Sequence, residues 1–153
     1  MGENVEEGLK WLRLMRRHCT RVCPAMESVL DRVGLNLPQF NAVSILGEKG
    51  ELTMGELSKE LGVTMGAGTN LMDKLVEAGL AGRLRTESDR RVVRVSLTPK
   101  GTDALDRASR DIARFWSEVV GGLDPAERTQ FLASYQKMIG FLEEARKRFR
   151  AET

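Results

Sequence analysis

Residues 53–101 limit the possible folds more than any other part of the chain, because they predict four elements in a fixed order. Thr53 and Glu56 fit a capping box at the start of a short helix. Gly62 fits the left-handed residue that ends this helix before a second one begins. Residues 80–85 predict a strand, residues 86–89 are turn-like, and residues 91–97 alternate as a second strand does. The segment therefore predicts a helix, a tight turn, a second helix and a two-stranded wing.

Polar side chains occupy the second of these helices, which is predicted to begin after Thr64. A helix of this kind suits the major groove of DNA, and the wing suits a flanking minor groove. Thr69 and Asn70 are the candidates for contact with base edges, since Asn can pair with adenine through two hydrogen bonds. Thr64 and Lys74 are expected to contact phosphates. Two alternatives stay open: Thr64 is only a helix cap, and Asn70 is an ordinary exposed residue.

Positive charge is concentrated in the predicted wing. The whole chain carries a formal charge of only +2, so its overall composition does not argue for nucleic acid. Between positions 83 and 100 the acidic residues are Glu87 and Asp89, whereas the basic residues are Arg83, Arg85, Arg90, Arg91, Arg94 and Lys100. This local excess favours a DNA-binding wing. The alternative is an ordinary charged hairpin on the surface.

The segment from Asn36 to Gly101 resembles the MarR family of bacterial transcription regulators. The matching pieces are LNLPQFNAVSILGEKGELTMGELSKELGVT, NLMDKLVEAGLAGRLR and DRRVVRVSLTPKG. The last piece is the most specific, because it contains the family's pattern at Asp89, Arg91, Leu97, Thr98 and Gly101. The resemblance implies a homodimer joined by the first and last helices and a palindromic operator. It also implies repression that is commonly relieved by a small ligand or by oxidation.

The same resemblance assigns roles to the tip of the wing. Arg91 matches the family's minor-groove arginine, and a narrow A·T-rich minor groove attracts such a side chain. Asp89 is expected to orient Arg91 by a salt bridge, and Arg90 is expected to add a phosphate contact. The alternative is that Asp89 and Arg91 form only a structural pair.

The start of the second helix departs from the family at Met65-Gly66-Ala67-Gly68, where relatives usually carry hydroxyl, charged or β-branched residues. Each glycine weakens a helix by about 1 kcal/mol relative to alanine. We therefore expect either a helix start that stays loose until DNA orders it, or glycines that admit close approach of another backbone.

Amphipathic helices are predicted on both sides of the winged segment. Apolar residues recur every three or four positions from Leu9 to Val33, and Pro24 is expected to kink or divide this first helix. The predicted fold is mainly α with a small β-wing. Its expected parts are an N-terminal dimerisation helix over 1–35, a winged helix-turn-helix domain over 36–101 and C-terminal dimerisation helices over 102–153.

Cys19 and Cys23 lie four residues apart and therefore share a helix face. They are either small apolar core residues or a redox sensor, since neighbouring arginines such as Arg16 and Arg17 can lower the pKa of a thiol. Together with His18 they form a weak metal-ligand set, because His18 projects about 100 degrees away from Cys19 on an ideal helix. No metal site and no cofactor is therefore predicted.

A small aromatic or amphipathic effector is expected from the resemblance, in a pocket between the dimer helices and the winged domain. The aromatic and sulfur-containing side chains that could line it are equally explained as core: Trp11, Met15, Phe40, Phe115 and Trp116.

Other classes of protein are disfavoured. The sole histidine is His18, and the chain has no phosphate-binding glycine loop or nucleophile elbow, so an enzyme is not expected. No run of 18 apolar residues predicts a membrane span, and the acidic start MGENVEEGLK is unlike a secretion signal. A cytoplasmic protein is expected.

The alternative function is a winged-helix protein-interaction module with little DNA binding. The two glycines in the second helix favour this alternative, whereas Arg90 and Arg91 together oppose it. Salt dependence distinguishes the two hypotheses, because contacts to phosphates release counterions.

Overall fold

The computed structural model describes residues 2–85 and 93–151, which form a mainly helical protein with a small antiparallel sheet. The helices are α1 (Gly2–Leu30), α2 (Leu37–Lys49), α3 (Met54–Leu61), α4 (Met65–Glu77), α5 (Pro99–Gly121) and α6 (Pro125–Ala151). The strands are β1 (Leu52–Thr53), β2 (Ala81–Arg85) and β3 (Val93–Leu97). The predicted fold class is confirmed.

Side-chain caps fix the starts of α2 and α6. The backbone N–H of Gln39 donates to Asn36 Oδ1 at 2.9 Å, and the N–H of Asn36 donates to Gln39 Oε1 at 3.0 Å. The same reciprocal pair joins Asp124 and Glu127, with both distances 2.9 Å. These pairs satisfy N–H groups that have no partner within the helix, which is why the local sequence predicted both starts.

Pro24 lies inside α1 and does not divide it, since α1 is one helix from Gly2 to Leu30. The apolar side chains of α1 are buried at one end of the helix and exposed at the other. Met26 and Leu30 are buried, whereas Leu9 and Leu12 are 46% and 63% exposed. The C-terminal end of α1 therefore belongs to the core, and its N-terminal half presents apolar side chains to solvent.

The three strands form one sheet in the order β1-β3-β2. β3 is the central strand, and it pairs Val95 with Leu52 of β1 and with Arg83 of β2. Val95 is fully buried, and Val93 and Leu97 on the same face are half-buried. The alternation predicted over 93–97 is therefore present in β3.

One hydrophobic core holds the sheet, the end of α1, and α2 to α5 together. Its large members include Leu30, Leu35, Val43, Leu46, Leu57, Met72, Leu75 and Val95. Because α3 and α4 both supply buried side chains to this core, the orientation of the two helices is set by packing.

The chain divides into two compact units, Met1–Ala113 and Arg114–Thr153, and the division falls within α5. In the second unit the rings of Phe115 and Trp116 meet edge to face, with centroids 5.6 Å apart. Large apolar side chains of α6 are exposed, among them Phe131, Leu132, Ile139, Phe141 and Leu142. None of the helices described is long and apolar enough to cross a membrane.

Candidate nucleic-acid interface

The turn between α3 and α4 is closed by the backbone. Gly62 has φ 69°, and its N–H donates to the carbonyl of Lys59 at 3.1 Å. The N–H of Val63 donates to the carbonyl of Ser58 at 3.1 Å, while the Val63 side chain is exposed. Glycine adopts this left-handed backbone conformation at little cost in free energy, and the predicted turn is confirmed.

A capping box sets the start of α3. Glu56 accepts hydrogen bonds from the backbone N–H and the hydroxyl of Thr53, both at 2.8 Å. These hydrogen bonds, that of the backbone first, hold the pKa of the Glu56 carboxyl below its usual range. The carboxylate form of Glu56 therefore stabilises the first helix of the motif.

Thr64 caps the start of α4. The backbone N–H of Ala67 donates to Thr64 Oγ1 at 3.3 Å. The cap alternative for Thr64 is thus present in the structure, and the residue as a whole is exposed.

The two glycines of α4 have different surroundings. Gly68 is buried, and a methyl group at this position would overlap the hydroxyl of Ser58 on α3. Ser58 is itself only 4% exposed, and its hydroxyl donates to Met65 Sδ at 3.8 Å. Nothing lies within 4 Å of the same position at Gly66. The close approach expected from the sequence is therefore that of α3 to α4 at Gly68, and α4 is helical from Met65 onward.

The outward face of α4 contains the residues expected to contact DNA. Thr69, Asn70 and Lys74 are exposed, whereas Met72 and Leu75 are buried. The structure thus brings the predicted base-contacting and phosphate-contacting side chains onto one accessible surface, next to the open side of the helix at Gly66. A helix in this setting can enter a major groove.

An ion pair joins this face to the wing. Asp73 is exposed on α4 beside Asn70, and its Oδ1 lies 2.6 Å from the guanidinium of Arg83 on β2. Sequence analysis did not predict this pair. The sequence did contain a signal for it. Asp73 lies among side chains expected to face phosphates, and an unpaired carboxylate there repels DNA, so Asp73 requires a basic partner. Thr69 and Arg83 also line a common groove of about 430 Å³ with Met54 and Val93.

The C-terminal end of α4 is fastened to the start of α5. Thr98 Oγ1 donates to the carbonyl of Gly79 at 2.7 Å and accepts from the N–H of Gly101 at 3.0 Å. Lys100 Nζ donates to the carbonyl of Ala78 at 2.8 Å. A side chain at Gly101 would overlap the carbonyl oxygen of Leu80, so glycine is required there. The Leu-Thr and Gly of the sequence pattern therefore have a structural role.

The tip of the wing, with Asp89, Arg90 and Arg91, lies outside the described residues. Two other basic residues of the wing form ion pairs within the chain. Arg83 pairs with Asp73, and Arg94 pairs with Glu51 at 3.6 Å. The local positive charge noted in the sequence is therefore partly neutralised, and Arg90 and Arg91 become more important to the DNA-binding hypothesis.

The two cysteines are free thiols. Cys19 is exposed and Cys23 is half-buried, so within one chain Cys19 is not the core residue that one interpretation predicted. In the described part of the chain no three His, Cys, Asp or Glu side chains are grouped so that they could hold a metal ion.

A helix-turn-helix with an outward second helix and an adjoining β-hairpin defines a winged helix-turn-helix DNA-binding domain. The model of the MarR family matches residues 35–93. The HTH-type transcriptional regulator YcgE of Bacillus subtilis is 36% identical over 114 residues, which are 70% of this chain and 74% of the relative. The chain belongs to the MarR family, whose members are transcriptional regulators.

Two other similar proteins extend the comparison. An HTH-type transcriptional repressor of Mycobacterium tuberculosis is 26% identical over 115 residues, which are 75% of this chain and 83% of the repressor. A mutant of MarR from E. coli, solved in complex with operator DNA, has the same fold with a TM-score of 0.76. It is 24% identical, and the match covers 86% of this chain and 95% of that one.

Proposed function

We propose that this transcriptional regulator is a homodimeric, cytoplasmic repressor that binds a palindromic operator. The observation that carries the proposal is the exposed polar face of α4, held at one end by the Thr64 cap and at the other by Thr98. Similarity to the mycobacterial repressor supports the direction of regulation.

Each side chain of the surface has a distinct role in this proposal. Thr69 and Asn70 contact base edges in the major groove, and Thr64 and Lys74 contact phosphates. Arg91 enters the minor groove at the edge of the operator, where the negative potential is greatest. Asp89 orients Arg91, and Arg90 binds a phosphate.

The exposed apolar side chains of α1 and α6 support the homodimer. Large apolar side chains that are exposed along a helix mark an interaction site on each of these two helices. In a two-fold dimer the same patch of each protomer meets its copy, and two recognition helices then match the two halves of a palindrome.

Release from DNA is proposed to follow binding of a small aromatic or amphipathic effector, or oxidation of Cys19 and Cys23. The exposure of Cys19 supports the second route, because a redox-sensing thiol must be accessible to the oxidant. The two routes are distinguished by measuring operator affinity of a Cys19→Ser variant with and without peroxide.

The test of the proposed function is fluorescence anisotropy with a labelled fragment of the protein's own promoter and an unrelated duplex, each at two salt concentrations. A sequence-specific repressor binds the promoter more tightly, and its affinity falls steeply with salt. In a plot of the logarithm of the binding constant against the logarithm of the salt concentration, each neutralised phosphate contributes about −0.9 to the slope. Weak and equal binding to both duplexes would instead favour a protein-interaction module.

Arg91→Ala is expected to lower operator affinity about tenfold or more, because loss of a specific arginine contact costs about 1–3 kcal/mol. The same assay measures this change, and sedimentation velocity should show an unchanged dimer. Arg128→Ala, on the exposed surface of α6, serves as the matched control. Operator affinity that is equal in the Arg91 and Arg128 variants would contradict the minor-groove role.

A further inference from the structure

A second surface, separate from the DNA-binding face, lies within the first compact unit. It is a groove of about 660 Å³ between α2, the end of α3 and α5. This volume falls in the range of small-molecule sites, about 300–1,000 Å³. Its lining residues are Phe40, Asn41, Ser44, Ile45, Gly47, Glu48, Glu60, Leu61, Leu105, Asp106 and Ser109.

The groove combines apolar side chains with negative charge. Phe40, Ile45, Leu61 and Leu105 supply the apolar part. Three carboxylates also line it, and none of its described lining residues is Lys or Arg. The carboxylates are those of Glu48, Glu60 and Asp106.

Two of these carboxylates are available to a ligand. Glu60 is paired with Lys49 Nζ at 2.7 Å. Glu48 and Asp106 form no ion pair with any residue in the described part of the chain. Their charge is therefore not compensated by an ion pair, and it lies beside an apolar surface where it attracts a cation.

We propose that the groove binds a small amphipathic cation, an apolar body carrying a protonated amine. The body packs on Phe40, Ile45 and Leu105, and the ammonium group lies between Glu48 and Asp106. Binding itself does not depend on the proposed repressor function. Its regulatory consequence does, because the groove includes the end of α3, the first helix of the DNA-binding motif.

Isothermal titration calorimetry on the full chain tests the site with three probes of one shape: phenylbutylammonium, phenylbutyrate and neutral phenylbutanol. The ammonium ion is expected to bind more tightly than the alcohol, and the carboxylate is expected to bind least. The double substitution Glu48→Gln and Asp106→Asn should weaken binding of the ammonium ion about tenfold, as expected for two partly exposed charges.

The control variant, Glu77→Gln with Glu118→Gln, removes the same charge from exposed positions outside the groove and should bind the ammonium ion as the wild type does. Equal affinity for all three probes, equal affinity of the two double variants, or no binding of the ammonium ion would each overturn the proposal. Addition of the ammonium ion to the operator-binding assay then separates the two claims. Calorimetric binding without any operator affinity contradicts only the repressor, and operator binding without calorimetric binding contradicts only the cation site.

Discussion

At the residue scale, Gly66 and Gly68 occupy one helix but are subject to opposite constraints. Gly68→Ala is expected to lower the free energy of unfolding by about 1–3 kcal/mol, because the added methyl overlaps the buried Ser58 hydroxyl. The methyl group added by Gly66→Ala has no atom within 4 Å, so this substitution should raise the free energy of unfolding by up to about 1 kcal/mol. Urea denaturation of the two variants measures both changes. Equal effects would show that helix propensity alone governs this segment.

Glu56 makes a prediction about pH. Its pKa is lowered in the folded protein by hydrogen bonds from Thr53, so its contribution to stability is present above the unfolded value of 4.5. That contribution is lost as the pH falls through the lower, folded pKa. The stability difference between wild type and Glu56→Gln should therefore be positive at neutral pH and shrink on acidification.

Urea denaturation of wild type and Glu56→Gln from neutral to acid pH measures the difference in their free energies of unfolding. The titration of the other carboxylates is the same in both proteins and cancels in this difference. Glu77→Gln, which removes an exposed carboxylate without a capping role, provides the control. A difference that stays constant from neutral to acid pH would refute the role of the charged cap.

At the scale of elements, the Asp73–Arg83 pair links α4 to β2 and neutralises an acid on the surface proposed to face DNA. Arg83→Gln is expected to lower operator affinity about fivefold, equivalent to about 1 kcal/mol, because it exposes the Asp73 carboxylate to phosphates. Adding Asp73→Asn to that variant should restore most of the loss. Fluorescence anisotropy measures all three proteins.

Asp73→Asn in the Arg83→Gln background distinguishes two roles of Arg83, neutralising Asp73 or binding a phosphate. If Arg83 instead bound a phosphate directly, Asp73→Asn would not recover the affinity lost with the arginine. Both residues are partly exposed, so neither substitution is expected to change the free energy of unfolding appreciably.

The elements themselves were largely predictable, because their boundaries depend on residues close in sequence. Asn36 with Gln39 and Thr53 with Glu56 are caps that a short segment specifies by itself. The contacts between elements were not predictable in this way. Gly68 against Ser58, Arg83 against Asp73 and Thr98 against Gly79 join residues that only the packed core brings together. The exposure of Thr69 and Asn70 follows from helix periodicity, whereas the residues that support their helix could not be predicted in this way.

At the scale of the whole molecule, the exposed apolar side chains in the N-terminal half of α1 are the surface proposed to form the homodimer. Leu12 is 63% exposed within the apolar stripe that ends in the core at Leu30. Leu12→Glu is expected to weaken dimerisation by about 2 kcal/mol for each substituted side chain, because a charge is then buried without a partner. Sedimentation velocity over a range of concentrations measures the shift toward monomer.

Arg17→Gln on the same helix provides the matched control. It changes the charge by the same amount, and position 17 projects about 140 degrees away from Leu12 on an ideal helix. The control should sediment as the wild type does. A Leu12→Glu protein that remained dimeric would place the interface elsewhere.

The fastening of Thr98 and Lys100 to the carbonyl groups at the end of α4 has a mechanical consequence. Hydrogen bonds join the start of α5 to the two residues that follow α4, and Gly101 leaves no gap there, so the two helix ends form one closely packed corner. With α4 as the recognition helix proposed above, a change in the angle of α5 is expected to change the angle of α4 in the major groove.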